Sequence, residues 1–125
     1  MTVPRTGGVG SVGVITMLVD HSRAIQAAGL KVHFIHYGEN KAQETRQAHT
    51  GIRADLLERV QRDVDAMGLL FAETVARNRG LSRTIIRNLE ADYFLGEAGV
   101  RARLADNVMA PDDAFRLVLA GLDAA

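Results

Sequence analysis

Lysine, serine and histidine are the residue types of this 125-residue chain that we consider as a catalytic base, a nucleophile or metal ligands. Of its two lysines, Lys41 lies in a polar stretch that runs from Gly38 to Thr50. A lysine amine is normally protonated in water, and it becomes a base only when burial destabilises its charge. Glu39 and Glu44 would oppose that change if their carboxylates came close. Taken alone, the pattern therefore favours a solvated surface lysine at position 41.

The four histidines do not have the spacing of a metal site. His33 and His36 are three residues apart on a predicted strand, so their side chains point to opposite faces. No H-E-x-x-H spacing or converging carboxylate accompanies them. We therefore expect no bound metal and interpret the histidines as surface or partly buried side chains. Cysteine is absent, which excludes disulfides and thiolate chemistry.

Gly8, Gly10 and Gly13 match the pattern G-x-G-x-x-G, which binds dinucleotides in some proteins. That function needs a strand before the glycines and a helix that starts at the third one, so that the pyrophosphate meets the helix N-terminus. Here the order is reversed, because Pro4 and small or polar residues precede the glycines and a β-branched run follows them. We therefore expect no bound nucleotide and no other cofactor.

Composition and charge exclude several classes of partner. Fifteen lysines and arginines balance fifteen aspartates and glutamates. The net charge is therefore zero and does not favour a nucleic-acid partner. Four arginines between positions 77 and 87 lie among acidic residues without interleaved aromatic residues, which indicates a solvated face. The longest apolar run, Val12 to Val19, is too short for a bilayer, and no signal-peptide pattern begins the chain. A membrane partner is therefore not indicated.

The length indicates one domain or a piece of one, and the apolar pattern predicts the α/β class over residues 1–125. Residues 1–10 are rich in glycine and predict an irregular segment. Residues 11–50 predict a βαβ unit and a polar loop that carries the lysine. The unit consists of a strand over Ser11–Val19, a helix over His21–Ala28 and a strand over Lys31–Tyr37.

Residues 51–125 are predicted to be mainly helical. Apolar residues recur at steps of three and four from Ile52 to Asn78, which predicts a long amphipathic helix that Gly80 ends. Its predicted inward residues are Leu57, Val60, Val64, Met67, Phe71 and Val75. Shorter elements follow, namely helices after Ser82, around Glu97–Arg101 and after Asp112, and a strand over Tyr93–Leu95. The apolar face of the long helix needs a broader sheet than these strands provide.

Several motifs occur in the order and at the spacing of one known family. They are T-G-G-V-G-S-V-G-V from Thr6 to Val14, G-x-x-K from Gly38 to Lys41, R-G-L-S from Arg79 to Ser82, E-A-x-x-F-x-G from Glu90 to Gly96 and L-A-D-x-V from Leu104 to Val108. On these motifs, the chain resembles the signal peptide peptidase family of serine peptidases, and most closely its phage capsid-assembly, or prohead, protease branch. The resemblance implies a partial Clp/crotonase-like fold that corresponds to the C-terminal half of the peptidase.

The resemblance also implies a catalytic pair of serine and lysine. Lys41 corresponds to the general base of the family, and Ser11 corresponds to the serine that hydrogen-bonds and orients that lysine. The nucleophilic serine of the family lies upstream, so its equivalent would precede Met1, and neither Ser22 nor Ser82 takes its place. We therefore expect no nucleophile in this chain.

Two residues depart from the family motifs. Gly99 replaces a usual alanine, and Arg103 replaces the glycine of G-L-A-D. Because the residue after a helix often adopts left-handed geometry, arginine at position 103 is expected to cost about 1 kcal/mol of stability.

The predicted function follows from this resemblance. The chain is expected to be the C-terminal part of a Ser–Lys endopeptidase that cleaves extended or unfolded peptides, such as signal-peptide remnants or phage scaffold and capsid proteins, and to be inactive alone. Its expected partners are that peptide and either further copies in a homo-oligomer or a complementing N-terminal half. The expected location is the cytoplasm of a bacterial or phage-infected cell. The alternatives are a non-catalytic assembly module and a prophage remnant without function.

Overall fold

The computed structural model describes residues 1–123, which form a mixed α/β protein. Its elements, in chain order, are β1 (Thr2–Val3), β2 (Gly8–Gly10), α1 (Ser22–Ala27), α2 (Gln43–Thr50), α3 (Ala54–Arg79), α4 (Arg83–Arg87), β3 (Tyr93–Leu95), α5 (Glu97–Arg101), β4 (Asn107–Val108) and α6 (Pro111–Asp123). The predicted α/β class, with one long helix and several smaller ones, is confirmed. Within residues 1–123, no helix is both long enough and apolar enough to cross a lipid bilayer.

The long helix α3 ends where the sequence predicts. Gly80 follows it with a left-handed φ of 62°. The amide of Leu81 then donates to the carbonyl of Ala76 across 2.8 Å, which closes the last turn. The predicted inward face is only partly right: Leu56, Ala72 and Ala76 are the buried residues, whereas Leu57 and Met67 are each 51% exposed. Val60, Val64 and Val75 were predicted to point inward and are half-buried. The pattern of large apolar residues did not reveal the buried positions fully, because two of the three are alanines.

The chain divides into two compact units. The terminal unit comprises Met1–Gly13 and the chain from Gly68 onward, and the middle unit comprises Val14–Met67. In the terminal unit, β1 pairs in parallel with β4, and β2 pairs antiparallel with β3. Residues 1–10 therefore contain two strands rather than an irregular segment, because strands from the C-terminal part of the chain complete their hydrogen bonds.

A small apolar core holds the terminal unit together. Its buried residues are Val3, Val9, Ala72, Ala76, Ile86, Leu104 and Ala105. The hydroxyl of Ser82 accepts a hydrogen bond from the amide of Ile85 at 3.3 Å and caps α4, as predicted. After α5, Arg103 adopts a left-handed φ of 62°, which confirms the geometry expected at that position.

In the middle unit, α1 and α2 are tied together at their ends. The carboxylate of Asp20 accepts hydrogen bonds from the amide of Ser22 at 2.9 Å and from the amide of Ile52 at 3.1 Å. The amide of His21 donates to the carbonyl of Ala48 across 2.7 Å. Helix α1 was predicted, but the segment of α2 was predicted to be a loop, which is wrong. Its sequence, QETRQAHT, is polar and carries no apolar stripe to mark it as a helix.

The strands predicted over residues 11–19 and 31–37 are not formed in the described structure. Both segments lie outside the two sheets, so only the helix of the predicted βαβ unit is present. A strand needs a partner whose backbone completes its hydrogen bonds, and the middle unit supplies none. Some of their apolar side chains are uncovered, since Ile15 is 93% exposed and Ile35 is 102% exposed. Val12, Val14 and Leu18 are half-buried.

Candidate active site

Lys41 lies in a short loop of the middle unit, residues 38–42, which we call the lysine loop. Gly38 begins the loop with a φ of 90°. The amide of Lys41 donates to the carbonyl of Gly38 across 3.1 Å, so the backbone turns sharply at this point. The side chain of Lys41 is exposed. The middle unit by itself therefore does not supply the burial that would favour a neutral amine.

Two side chains hold the lysine loop. Nδ1 of His36 lies 3.1 Å from the carbonyl oxygen of Gly38, and Nε2 of the same ring lies 2.6 Å from Nη1 of Arg46. Nη2 of Arg46 donates to the carbonyl of Glu39. Arg46 belongs to α2, so this helix is an element that positions the loop.

The last residue of the lysine loop has a strained backbone. Ala42 adopts the left-handed conformation, with φ 52° and ψ 42°. This conformation costs roughly 1–2 kcal/mol for a residue other than glycine. It persists only where surrounding contacts determine the backbone path. Nearby, Nε2 of Gln43 donates to Oδ1 of Asn40 across 2.8 Å, which is one such contact.

The carboxylate of Glu44, which would oppose a neutral Lys41 if it lay close to it, is paired with an arginine. It accepts a hydrogen bond from Nη2 of Arg59 across 2.6 Å, so a cation compensates its charge. Glu44 is therefore part of an ion pair between α2 and α3.

Ser11 lies in the terminal unit, directly after β2. Its backbone is left-handed, with φ 53°. Its amide donates to the carbonyl of Asp92 across 2.8 Å, and its carbonyl accepts from the amide of Gly13 across 2.8 Å. The residue is exposed. The two backbone hydrogen bonds hold Ser11 in this conformation.

Ser11 and Lys41 belong to different units, so the hydrogen bond between them stays a prediction. Of the two other serines considered as nucleophiles, Ser82 caps α4, which is a structural role. Ser22 begins α1, with its amide bonded to Asp20.

The glycines of the G-x-G-x-x-G pattern allow β2 and β3 to approach closely. A Cβ atom at Gly10 would lie 2.2 Å from the carbonyl oxygen of Asp92, and one at Gly8 would lie 2.4 Å from Cζ of Tyr93. In the described structure, no helix begins at Gly13. The helix N-terminus that a pyrophosphate requires does not follow these glycines in the described residues, and strand pairing explains Gly8 and Gly10.

Two of the histidines, His21 and His49, lie near each other within the middle unit, and His49 contacts Phe34. Nδ1 of His49 lies 2.8 Å from the carbonyl oxygen of Thr45, and its ring meets Phe34 edge-on at 5.6 Å between centroids. The ring of His21 lies 6.4 Å from that of His49. Among residues 1–123, no group of three or more histidine and acidic side chains could hold a metal ion.

Arginines near the end of α3 form ion pairs in the terminal unit. Arg83 contacts Glu73 at 2.5 Å. Arg79 donates two hydrogen bonds to Asp106, at 2.6 and 3.3 Å, and a third to the carbonyl of Arg103 at 2.9 Å. The hydrogen bonds from Arg79 hold the pKa of the Asp106 carboxyl well below its usual range. These arginines therefore join structural elements to one another.

Sequence reasoning missed Arg46 as a residue of the site. It lies five residues after Lys41, in a segment that was predicted to be a loop. The residues around it include glutamines, glutamate and alanine, which are good helix formers, and this propensity is the one signal that indicates α2. The contact of Arg46 with His36 depends on tertiary structure, so no spacing in the sequence indicates it.

Comparison with known proteins gives matches along nearly the whole chain. The family model described as "Peptidase family S49" matches residues 1–123. The head-tail preconnector protein GP5 of Enterobacteria phage P21 is 30% identical over 121 residues, which cover 97% of this chain and 24% of that protein. The capsid assembly protease C of Escherichia phage lambda is 29% identical over 122 residues, which cover 98% of this chain and 27% of that protein. The chain thus spans about a quarter of the length of these relatives.

Proposed function

Because this chain belongs to peptidase family S49, and to its phage prohead protease branch, we propose that it is the lysine-bearing part of a serine endopeptidase that acts in capsid assembly. The observation that carries the proposal is the family match over residues 1–123, which includes the G-x-x-K motif from Gly38 to Lys41. The name of the phage lambda relative, a capsid assembly protease, supports the substrate class. The proposed substrates are extended segments of phage scaffold or capsid proteins.

In the proposed mechanism, the neutral amine of Lys41 takes the proton from a serine hydroxyl. The serine oxygen attacks the carbonyl of a substrate peptide bond, and backbone amides stabilise the oxyanion that forms. When the oxyanion collapses, the peptide C–N bond breaks, and protonated Lys41 gives its proton to the departing amine. Neutral Lys41 then takes a proton from a water molecule, which attacks the serine ester. The acyl group leaves as a carboxylic acid, and the proton returns to the serine oxygen. Ser11 hydrogen-bonds the lysine amine and orients it. The nucleophilic serine comes from a polypeptide segment outside this sequence.

The geometry of the middle unit supports dependence on a further segment. The lysine loop is held in place by His36 and Arg46, yet the side chain of Lys41 is exposed. A segment that covers Lys41 would exclude water from its ammonium group, so that deprotonation to the neutral amine would cost less free energy. The uncovered apolar side chains of Ile15 and Ile35 offer a surface on which such a segment would pack.

The test measures cleavage of an unfolded fluorogenic peptide. The chain alone is compared with the same chain joined to the upstream family segment that supplies the serine. We expect turnover only in the joined protein, and we expect Lys41→Ala to lower its kcat by about 10²–10⁴-fold. Lys31→Ala, which changes the other lysine, serves as the control and should leave kcat unchanged. Turnover by the chain alone, or full activity in Lys41→Ala, would contradict the proposal.

A second candidate function, assembly without catalysis, is favoured by the same uncovered apolar side chains. Size-exclusion chromatography with light scattering distinguishes it from the first. A discrete homo-oligomer of the joined protein that shows no turnover would favour the assembly role over the peptidase.

A further inference from the structure

The hydrogen bonds of His36 define one chemical form of its ring. A guanidinium only donates hydrogen bonds, so Nε2 of His36, which lies 2.6 Å from Nη1 of Arg46, must be the acceptor. A carbonyl oxygen only accepts, so Nδ1, which lies 3.1 Å from the oxygen of Gly38, must carry the proton. Only a neutral ring with its proton on Nδ1 makes hydrogen bonds in both contacts.

We propose that His36 and Arg46 are positioning residues for Lys41, and that the neutral Nδ1–H form of His36 is required for this role. The inference rests on the proposed function of Lys41 as the general base. His36 and Arg46 together are called the loop clamp below.

The carbonyl of Gly38 links the loop clamp directly to the lysine. Its oxygen accepts two hydrogen bonds, one from Nδ1 of His36 at 3.1 Å and one from the backbone amide of Lys41 at 3.1 Å. The ring of His36 thus orients the Gly38 carbonyl, which accepts the hydrogen bond from the Lys41 amide.

Arg46 fixes the other side of the same turn. One of its terminal nitrogens contacts His36, and the other donates to the carbonyl of Glu39, two residues before the lysine. Nε of Arg46 is buried, and Arg46 as a whole is half-buried. A planar fork held at two points has little freedom to follow a different loop conformation.

The left-handed backbone of Ala42 is a further constraint on the turn that the loop clamp holds. This residue follows Lys41 directly and has a φ of 52°. An alanine stays in this region only when its neighbours impose the conformation. Arg46 is the residue whose amide donates to the Ala42 carbonyl, at 2.9 Å, and whose side chain also holds Glu39.

The experiment uses nuclear magnetic resonance on the chain as it is. Long-range ¹H–¹⁵N correlation should show the proton of His36 on Nδ1. Exchange of the Lys41 amide with deuterium should accelerate about tenfold in His36→Phe, because a ring without nitrogens cannot support Gly38. His36→Gln offers both a donor and an acceptor and should restore slow exchange. His33→Phe, a histidine change three residues away, is the matched control and should have no effect.

Arg46→Met removes the loop clamp from its other side and should accelerate the same amide, which guards against a failure of His36→Phe to fold. A proton on Nε2, or unchanged exchange in both variants, would overturn the inference. In the joined peptidase, His36→Phe should lower kcat about tenfold and leave KM unchanged, with rescue by His36→Gln. Full activity of Lys41→Ala would instead refute the proposed general base, while the exchange data would still report on the loop clamp.

Discussion

Gly99 of α5 and Val9 of β2 are packed so closely that each limits the size of the side chain at the other position. A Cβ atom at position 99 would lie 2.6 Å from Cγ2 of Val9, closer than two carbon atoms can come without a shift. Val9 is buried in the core of the terminal unit, and its β-branched side chain has few alternative rotamers. The glycine that replaces the alanine usual in the family therefore fits the valine of this chain.

We predict that Gly99→Ala destabilises the protein by about 1 kcal/mol. Overpacking of a core typically costs about 1–3 kcal/mol, and the higher helix propensity of alanine returns up to about 1 kcal/mol. Gly68→Ala is the matched control, because Gly68 is also helical and a Cβ there meets no atom within 4 Å. That change should stabilise the protein. Urea unfolding measures both effects.

The contact with Val9 can be isolated by a double-mutant cycle. In a Val9→Ala background, the space beside position 99 is larger, so Gly99→Ala should cost less than it does in the parent protein. An equal cost in both backgrounds would show that Val9 is not the cause.

Among the elements, those that carry an apolar period or a cap could be predicted from the sequence. The long helix α3, the cap of α4 at Ser82 and the strand β3 over Tyr93–Leu95 are confirmed by the structure. Helix α2 was missed because it is polar, and β1 was missed because its partner β4 lies at the other end of the chain. Pairing partners and polar contacts are tertiary properties that no local pattern encodes.

Asp20 connects two elements of the middle unit and makes its stability depend on pH. Hydrogen bonds from Ser22, and a further one from the Ile52 amide, lower the pKa of the Asp20 carboxyl to about 2. An unfolded aspartate has a pKa of about 3.9, so the folded state favours the ionised form. The stabilisation is therefore fully present above pH of about 4 and is lost as the pH falls towards 2.

We predict that Asp20→Asn lowers the melting temperature at neutral pH and that the difference from the parent protein shrinks between pH of about 4 and about 2. Asp63→Asn, which changes an exposed aspartate of α3, is the control and should have little effect at any pH. Circular dichroism melts across this range measure the difference. A difference that stays constant down to pH of about 2 would show that ionisation of Asp20 does not contribute.

At the scale of the whole molecule, the exposed apolar segments support the proposal that a further polypeptide segment packs on this chain. Residues 14–19 and 31–37 carry apolar side chains, including Ile15 and Ile35, that no part of the middle unit buries. The sequence predicted strands in both regions, from a nearly continuous apolar run over residues 11–19 and from alternation over residues 31–37. The candidate pair of Ser11 and Lys41 was predicted from sequence motifs alone. The two residues belong to different units of the structure.

We predict that the backbone amides of residues 14–19 and 31–37 exchange rapidly with deuterium in the chain alone, because no strand partner protects them. In the joined protein, the same amides should become protected as the segments enter a sheet. Amides in the middle of α3 are the internal control and should be protected in both samples. Rapid exchange of both segments in an active joined protein would show that they have a different role.

The pairing of β1 with β4 has a consequence for synthesis of the protein. Thr2 pairs with Asn107 and Val3 with Val108, so partners about 105 residues apart must meet. A ribosome that adds about 5–20 residues per second needs roughly 5–20 s to make the second strand after the first. Throughout that interval β1 has no native partner in this sheet, so the terminal unit can close only after β4 has been made.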